Sequence, residues 1–264
     1  MPKTKIFFRN KAHLMQKERD VMSEKVIGIL GGMGPEATVD CFDKIIKNTP
    51  AAKDQDHLRV LIDSNPKVPD RTAAIIGGGK SPVPVMVAGC RALQRAGADF
   101  IIIPCVSAHV FLSETQQQIE LPILSIFDAV AEAIDRNHPQ IKTVGLLATT
   151  GTVSGGLFQK RLLQDDIRTL VPEDGMQSKI MSAIYDIKNA QAARKRSEIT
   201  ADLTAAAASL ISRSPEGARG IIAGCTEIPL ALRQEHLAIP YFDAVTILAR
   251  AAIRRAGVTP IALS

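Results

Sequence analysis

The sequence predicts an α/β protein of two pseudo-symmetric lobes, each with a mainly parallel sheet flanked by helices and with the active site in the cleft between them. Three observations lead there. Short β-rich runs alternate with helical patterns along the 264 residues, as in parallel sheets joined by crossover helices. The runs are apolar on both faces, as strands covered by helices on both sides must be. Blocks of the first half also recur, in order, in the second half.

The expected strands are residues 26–30, 60–63, 100–104, 123–127, 144–148 and 220–223. Between them, helical patterns cover residues 35–48, 84–96, 128–136, 178–187 and 194–212. Pro35 suits the first turn of its helix, where a missing N–H costs nothing.

The repeat is carried by three blocks. Gly97-Ala-Asp-Phe-Ile-Ile-Ile-Pro-Cys105 matches Gly217-Ala-Arg-Gly-Ile-Ile-Ala-Gly-Cys225. Val26-Ile-Gly-Ile-Leu-Gly-Gly32 matches Thr143-Val-Gly-Leu-Leu-Ala-Thr149, and Pro122 with Phe127-Asp128-Ala129 matches Pro240 with Phe242-Asp243-Ala244. One matching block is a plausible accident; three in order at a near-constant offset are not. The expected organisation is an N-terminal extension over 1–25, a first lobe over 26–125 closed by a C-terminal helix over about 243–264, and a second lobe over 126–242.

Composition narrows the partners. Hydrophobic residues at 46% and charged residues at 22% suit a water-soluble globular chain. No apolar run approaches the roughly 20 residues that span a bilayer, so no membrane partner is expected. The net charge of +5 hints at nucleic acid. However, seven of the 32 Lys and Arg residues stand in 1–25 against three acids, which leaves the body near neutral. With no Trp and two Tyr for base stacking, no nucleic-acid partner is expected either. The extension lacks the apolar segment of a secretory signal. It reads as a disordered leader, or as sequence ahead of a true start at Met22, and a cytoplasmic location is expected.

Four cysteines stand at 41, 90, 105 and 225. None forms a Cys-x-x-Cys pair, and the five His (13, 57, 109, 138, 236) show no paired spacing, so no metal site is expected. A lone cysteine after a strand is ordinarily a small buried hydrophobe. Cys105 and Cys225 differ because they hold equivalent places in a repeat, each just past a predicted strand. Ligands in open parallel sheets bind beyond the carboxyl ends of strands. Two lobes facing each other therefore bring both thiols to one cleft.

Such a pair suits proton transfer at a stereocentre. One base removes the proton from one face, and the other returns a proton to the opposite face. A thiol with an ordinary pKa of about 8.5 supplies both the base and the acid near neutral pH. The Cα proton is far less acidic than a thiol, so the site must also stabilise carbanion charge. Backbone N–H groups after each cysteine, in Val106-Ser107-Ala108-His109 and in Thr226-Glu227, are candidates for this. His109 reads equally as a cleft residue or as a local packing residue.

At these residues the sequence resembles the aspartate/glutamate racemase superfamily, and within it the aspartate racemases most. The matching stretches are Gly28-Ile-Leu-Gly-Gly-Met-Gly-Pro-Glu-Ala-Thr38, Asn65-Pro-Lys-Val-Pro-Asp-Arg-Thr72, Pro104-Cys-Val-Ser-Ala-His109, Leu147-Ala-Thr-Thr-Gly-Thr152, Ile184-Tyr-Asp-Ile-Lys188 and Gly224-Cys-Thr-Glu227. The resemblance implies two Rossmann-like lobes, a homodimer, and racemisation of a small amino-acid or carboxylic-acid substrate by two bases without PLP or any other cofactor. It implies that Cys105 and Cys225 are catalytic. It places Val106, Ser107, Ala108, Thr226 and Glu227 around the α-carboxylate and amino group. It also implies that Arg71 and Lys188 bind the distal carboxylate. From the residues alone, Arg71 and Lys188 read as ordinary surface cations.

One position departs from the family. Where relatives read Pro-Cys-Asn-Thr-Ala-His, this chain has Val106 and Ser107. Ser107 keeps the hydroxyl, whereas Val106 removes an amide that would hydrogen-bond the substrate. A substrate other than free aspartate fits that change. The alternatives are thus a superfamily isomerase or a non-catalytic binding protein for a different carboxylate. An NAD(P)-dependent enzyme is a further alternative, because Gly32-Met-Gly34-Pro-Glu-Ala37 fits the Gly-x-Gly-x-x-Ala fingerprint after a strand, with Asp63 ending the next strand.

Overall fold

Seven strands among the described residues form two separate sheets, and every pairing within them is parallel. This computed structural model describes residues 24–189 and 191–262. Apart from Glu24 and Lys25, the expected N-terminal extension lies outside the described residues.

The first sheet comprises β1 (Ile27–Gly31), β2 (Val60–Ser64) and β3 (Phe100–Ile102), in the order β2-β1-β3. The second comprises β4 (Thr143–Ala148), β5 (Arg168–Leu170), β6 (Ile221–Gly224) and β7 (Tyr241–Asp243), in the order β5-β4-β6-β7. The central strands β1, β4 and β6 are buried along their whole length, which is why they read as unbroken apolar runs. The edge strands β2 and β5 are half exposed and more polar. β5 and β7 are three residues each and carry too little apolar pattern to be legible.

Helix α1 (Pro35–Asn48) starts on Pro35, with Glu36 in the first turn and Lys47 in the last, in line with the helix dipole. Its Ala37, Cys41 and Ile45 recur every four residues and face the core. The segment expected as a strand over 123–127 is not one. Ile123 makes a single parallel bridge to Ile101, and Ser125 then caps helix α2 (Ile126–Asn137), accepting from the Asp128 N–H at 3.2 Å. The Ser-x-x-Asp start outweighs the apolar run, because Ile126 and Phe127 bury equally well as the first turn of a helix.

The last helix, α3 (Ala244–Arg255), is capped by Asp243, whose carboxylate accepts from the N–H groups of Val245 and Thr246. It packs against α1 and α2. It was expected to run to the C-terminus but ends at Arg255, where Gly257 adopts φ +101° and residues 258–262 are not helical. Lys44 of α1 bridges Asp40 and Asp243, the latter at 2.9 Å, so an ion pair ties the first sheet's helix to the last strand of the second.

One apolar cluster joins the halves. Ile27, Ile29, Phe100 and Ile102 of the first sheet share it with Val144, Leu146, Ile222 and Phe242 of the second, and with the buried faces of α1, α2 and α3. Two further clusters cover the outer face of each sheet. Each buried Ile or Phe contributes about 1.5–3 kcal/mol, so the shared cluster is the largest single stabilising feature of the interior.

Candidate active site

Cys105 and Cys225 line the same cleft, together with Met33, Ser107, Thr149, Lys188 and Glu227. Each thiol is carried on a tight turn just past the carboxyl end of a strand. After β3, the Cys105 N–H donates to Ile103 O at 2.8 Å. The Cys105 carbonyl then accepts from the Ala108 N–H, opening a short 3-10 helix over Ser107–Phe111. After β6, Cys225 follows directly, and its carbonyl accepts from the Ile228 N–H at 3.1 Å, leading into the 3-10 helix Ile228–Leu230. The two turns are the structural form of the repeat. Among the described residues, the N–H groups of Val106, Ser107 and Thr226 meet no main-chain acceptor, which leaves them free for an anion.

The thiols have different neighbours. Cys105 Sγ lies 3.6 Å from Ser107 Oγ. Cys225 Sγ donates to Glu227 Oε2 at 2.9 Å, and Thr226 Oγ1 donates to the same oxygen at 3.0 Å. Burial first, and the Glu227 carboxylate second, push the Cys225 thiol well above its ordinary value. Lys188, the last residue of helix α4 (Asp174–Lys188), reaches back so that its Nζ stands 3.3 Å from Glu227 Oε1. Burial disfavours the Lys188 charge, but Glu227, Cys225 and Cys105 outweigh burial and hold the ammonium above its usual range.

A recess adjoins the cleft and shares Ser107, Thr149 and Lys188 with it. Arg71 lies on its wall. Asp70 caps the short helix α5 (Arg71–Ile76) by accepting from the Ala73 N–H at 2.7 Å. The Arg71 guanidinium is anchored by the carbonyls of Val68, Pro69 and Met33, which leaves its Nε buried without a partner. Arg71 and Lys188 thus form one cationic end, beside the cleft that holds both cysteines.

Most of the residues expected from sequence meet here: Arg71, Cys105, Val106, Ser107, Lys188, Cys225, Thr226 and Glu227 line the cleft or its recess. Val106 is 2% exposed, with its side chain also part of the central apolar cluster. Ala108 is the exception. It is buried in the outer cluster of the first lobe and its N–H is spent on Cys105 O, so it does not reach the cleft wall. His109 also turns away. Its Nδ1 meets Cys105 O at 3.0 Å, its ring packs edge-on against Phe127, and burial pushes its pKa down to about 4. Sequence reasoning did not single out Thr149, Thr152 or Tyr185. The two threonines follow β4, where the strand-end rule points, and Tyr185 lies three residues before Lys188 on the same face of α4.

The glycine loop does not form a dinucleotide cradle. Gly32, at φ +88°, is filled by the Asn65 main chain, 2.3 Å from where a Cβ would sit. Gly34 faces Glu227 Oε1, a carboxylate that repels a pyrophosphate. Asp63, expected near a ribose, packs instead against Gly89. A separate groove of about 700 Å³, bordered by Arg136, Arg250 and Arg254, holds none of the cysteines. That groove and the chemistry therefore lie apart. Among the described residues, no group of three or more His, Cys, Asp or Glu side chains converges as a metal site would require, and no helix is long and apolar enough to cross a membrane.

Comparison with known proteins agrees with this geometry. A broad-specificity amino-acid racemase of Bacillus subtilis is 29% identical over 234 residues, covering 86% of this chain and 96% of the relative. The structure of Picrophilus torridus aspartate racemase superposes with a TM-score of 0.79 at 29% identity, covering 90% of this chain and 96% of that one. An aspartate racemase homologue from Pyrococcus horikoshii superposes at 0.70 with 26% identity, covering 88% and 99%. The family model described as Asp/Glu/hydantoin racemase matches residues 30–252. That match takes in both cysteine turns and all of the second sheet, and on it the chain belongs to the Asp/Glu/hydantoin racemase family and is an isomerase.

Proposed function

We propose that this chain racemises an acidic amino acid, aspartate, glutamate or a related carboxylic acid, with Cys105 and Cys225 as the two proton carriers and without PLP. The observation that carries the reading is the single small cleft lined by both thiols, with Arg71 and Lys188 at one end. In one direction a thiolate takes the Cα proton. The electron pair moves into the carboxylate as an enediolate, and the opposite thiol delivers its proton to the other face. The enzyme is left with its thiol and thiolate exchanged.

Three features support this chemistry. The cysteines are about 95% buried, and charge developing in such a site is weakly screened. The free N–H groups of Val106, Ser107 and Thr226 are suited to the enediolate oxygens. Lys188, with the partner-free Nε of Arg71, is suited to a distal carboxylate. Val106 favours a second reading of the substrate, because this cleft residue is apolar where the resemblance implies an amide. A carboxylic acid with a less polar group at that point fits better than free aspartate. The protein is also expected to act as a homodimer.

The test is exchange in D2O. With no added cofactor, the Cα proton signal of aspartate, glutamate or a close analogue fades in the proton NMR spectrum, and optical rotation falls towards zero. No exchange across a panel of acidic amino acids and related acids sinks the racemase reading.

A further inference from the structure

We propose that Glu227 is a positioning residue that makes the two proton carriers unequal, holding Cys225 as the resting acid and leaving Cys105 as the resting base. This rests on the two-cysteine reading above. The repeat supplies the argument. Two positions after each cysteine stand Ser107 and Glu227, and each side chain turns back onto its own thiol. The scaffold is thus matched while the chemistry is not. One thiol faces a neutral hydroxyl at 3.6 Å, and the other donates to a carboxylate at 2.9 Å.

The Cys225 proton is what makes that contact favourable. A thiol donates to the carboxylate, whereas a thiolate there sets two negative charges against each other in a site from which water is largely excluded, with Cys225 6% and Glu227 4% exposed. The charged groups around Cys225 come from every side of the cleft. Glu227 lies on its own turn, Lys188 comes from α4, Cys105 from the opposite turn, and Arg71 acts from the recess through Lys188. Among the described residues, Lys188 is the one cation in contact with the pair, and it sits on the far oxygen of Glu227, 3.3 Å from Oε1. Lys188 and the Glu227 N–H favour a Cys225 thiolate, but burial and the Glu227 carboxylate outweigh them. Glu227 is itself held in place, since Thr226 Oγ1 shares Oε2, and Gly34 leaves the space beside Oε1 open.

The consequence is a resting enzyme that starts from one side. Cys105 takes the Cα proton, and the Cys225 Sγ–H bond breaks to protonate the opposite face. The Cys225 thiolate so formed lies against Glu227 and is the less stable of the two enzyme forms. It returns to the resting form by the reverse transfer, or when Cys225 gains a proton from solvent and Cys105 releases one to it.

The experiment is a titration of thiolate ultraviolet absorbance in the full-length chain. Cys105→Ala isolates Cys225 in the cleft, and Cys225→Ala isolates Cys105. Burial pushes Cys41 and Cys90 up to about 12, into the alkaline range where Cys225 is read, so the Cys105→Ala/Cys225→Ala double variant is titrated as the blank and subtracted. Cys105 in the second protein is expected to ionise at lower pH than Cys225 in the first. Adding Glu227→Gln to Cys105→Ala removes the charge while keeping the shape, and leaves Lys188 facing the thiol. The Cys225 transition is expected to fall by about one unit or more, tenfold in the ionisation constant. Glu227→Asp keeps the charge and is expected to leave the transition high. A Cys225 transition unmoved by Glu227→Gln overturns the proposal, as does Cys225 ionising below Cys105 in the single variants. Those two single variants alone decide the second point, whatever the fate of the glutamate variants. Failure of the racemase reading shows up separately, as absent Cα exchange in the unmodified protein.

Discussion

Lys188 Nζ and Glu227 Oε1 stand 3.3 Å apart, so the end of one helix and the turn after Cys225 meet across the cleft. The pair is largely buried, with side chains 31% and 5% exposed. Its breakage leaves a buried charge, which is costly. The distal carboxylate of a dicarboxylic amino acid can take the place of Glu227 on the Lys188 ammonium, whereas a neutral amino acid has no distal group to do so. Lys188→Ala is therefore expected to raise KM for dicarboxylic amino acids about tenfold or more, as loss of a charge-assisted contact of about 1.5–3 kcal/mol implies. Steady-state kinetics against acidic and neutral amino acids measures it, and an equal effect on both classes removes Lys188 from distal-carboxylate binding.

Cys105→Ala and Cys225→Ala are each expected to lose racemase activity by about 10²–10⁴-fold, the ordinary contribution of a positioned acid or base. Both residues are small, and the fold is expected to survive, with circular dichroism unchanged. Full activity in either variant removes the two-base mechanism.

Val106→Asn restores the amide that the family carries. It is expected to raise kcat/KM on aspartate and to lower Tm, because the side chain also belongs to the central apolar cluster and an incompletely paired amide there costs about 1–3 kcal/mol. Lower activity on aspartate means that the pocket is shaped for another substrate.

His109 contributes a pH dependence to stability. Burial lowers its pKa in the folded chain to about 4, whereas in the unfolded chain it is about 6.5. Between these values the unfolded state binds more protons, so stability is fully present above about 6.5 and falls as pH drops towards 4, by on the order of 3 kcal/mol. His109→Gln is expected to flatten this window in urea denaturation curves taken at several pH values. An unchanged slope means that the imidazole is not held neutral.

Much of this was legible along the chain. Strands β1, β4 and β6 announce themselves because burial on both faces leaves Thr143 as their one polar residue. The cysteine turns were found because the repeat gave two copies of one signal. Arg71 and Lys188 were not legible from chemistry. A helix-start arginine and a helix-end lysine look like any surface cation until the fold brings Met33 O to one and Glu227 to the other. Ala108 went the other way. Its place in the motif suggests contact with substrate, yet a 3-10 turn directs a residue three beyond the cysteine back into the core. The start of α2 was misread because Ile126 and Phe127 suit a strand and a helix equally, and the Ser125 cap decided between them.

The apolar cluster shared by Ile29, Phe100, Leu146 and Phe242 has a consequence for the chain as a whole. A half cut out at residue 125 or 126 would carry a sheet whose inner face has lost its cover. The two halves share short blocks of sequence, but with one common core heat is expected to melt them in one calorimetric transition. The cooperative unit expected from this packing is the pair of halves together.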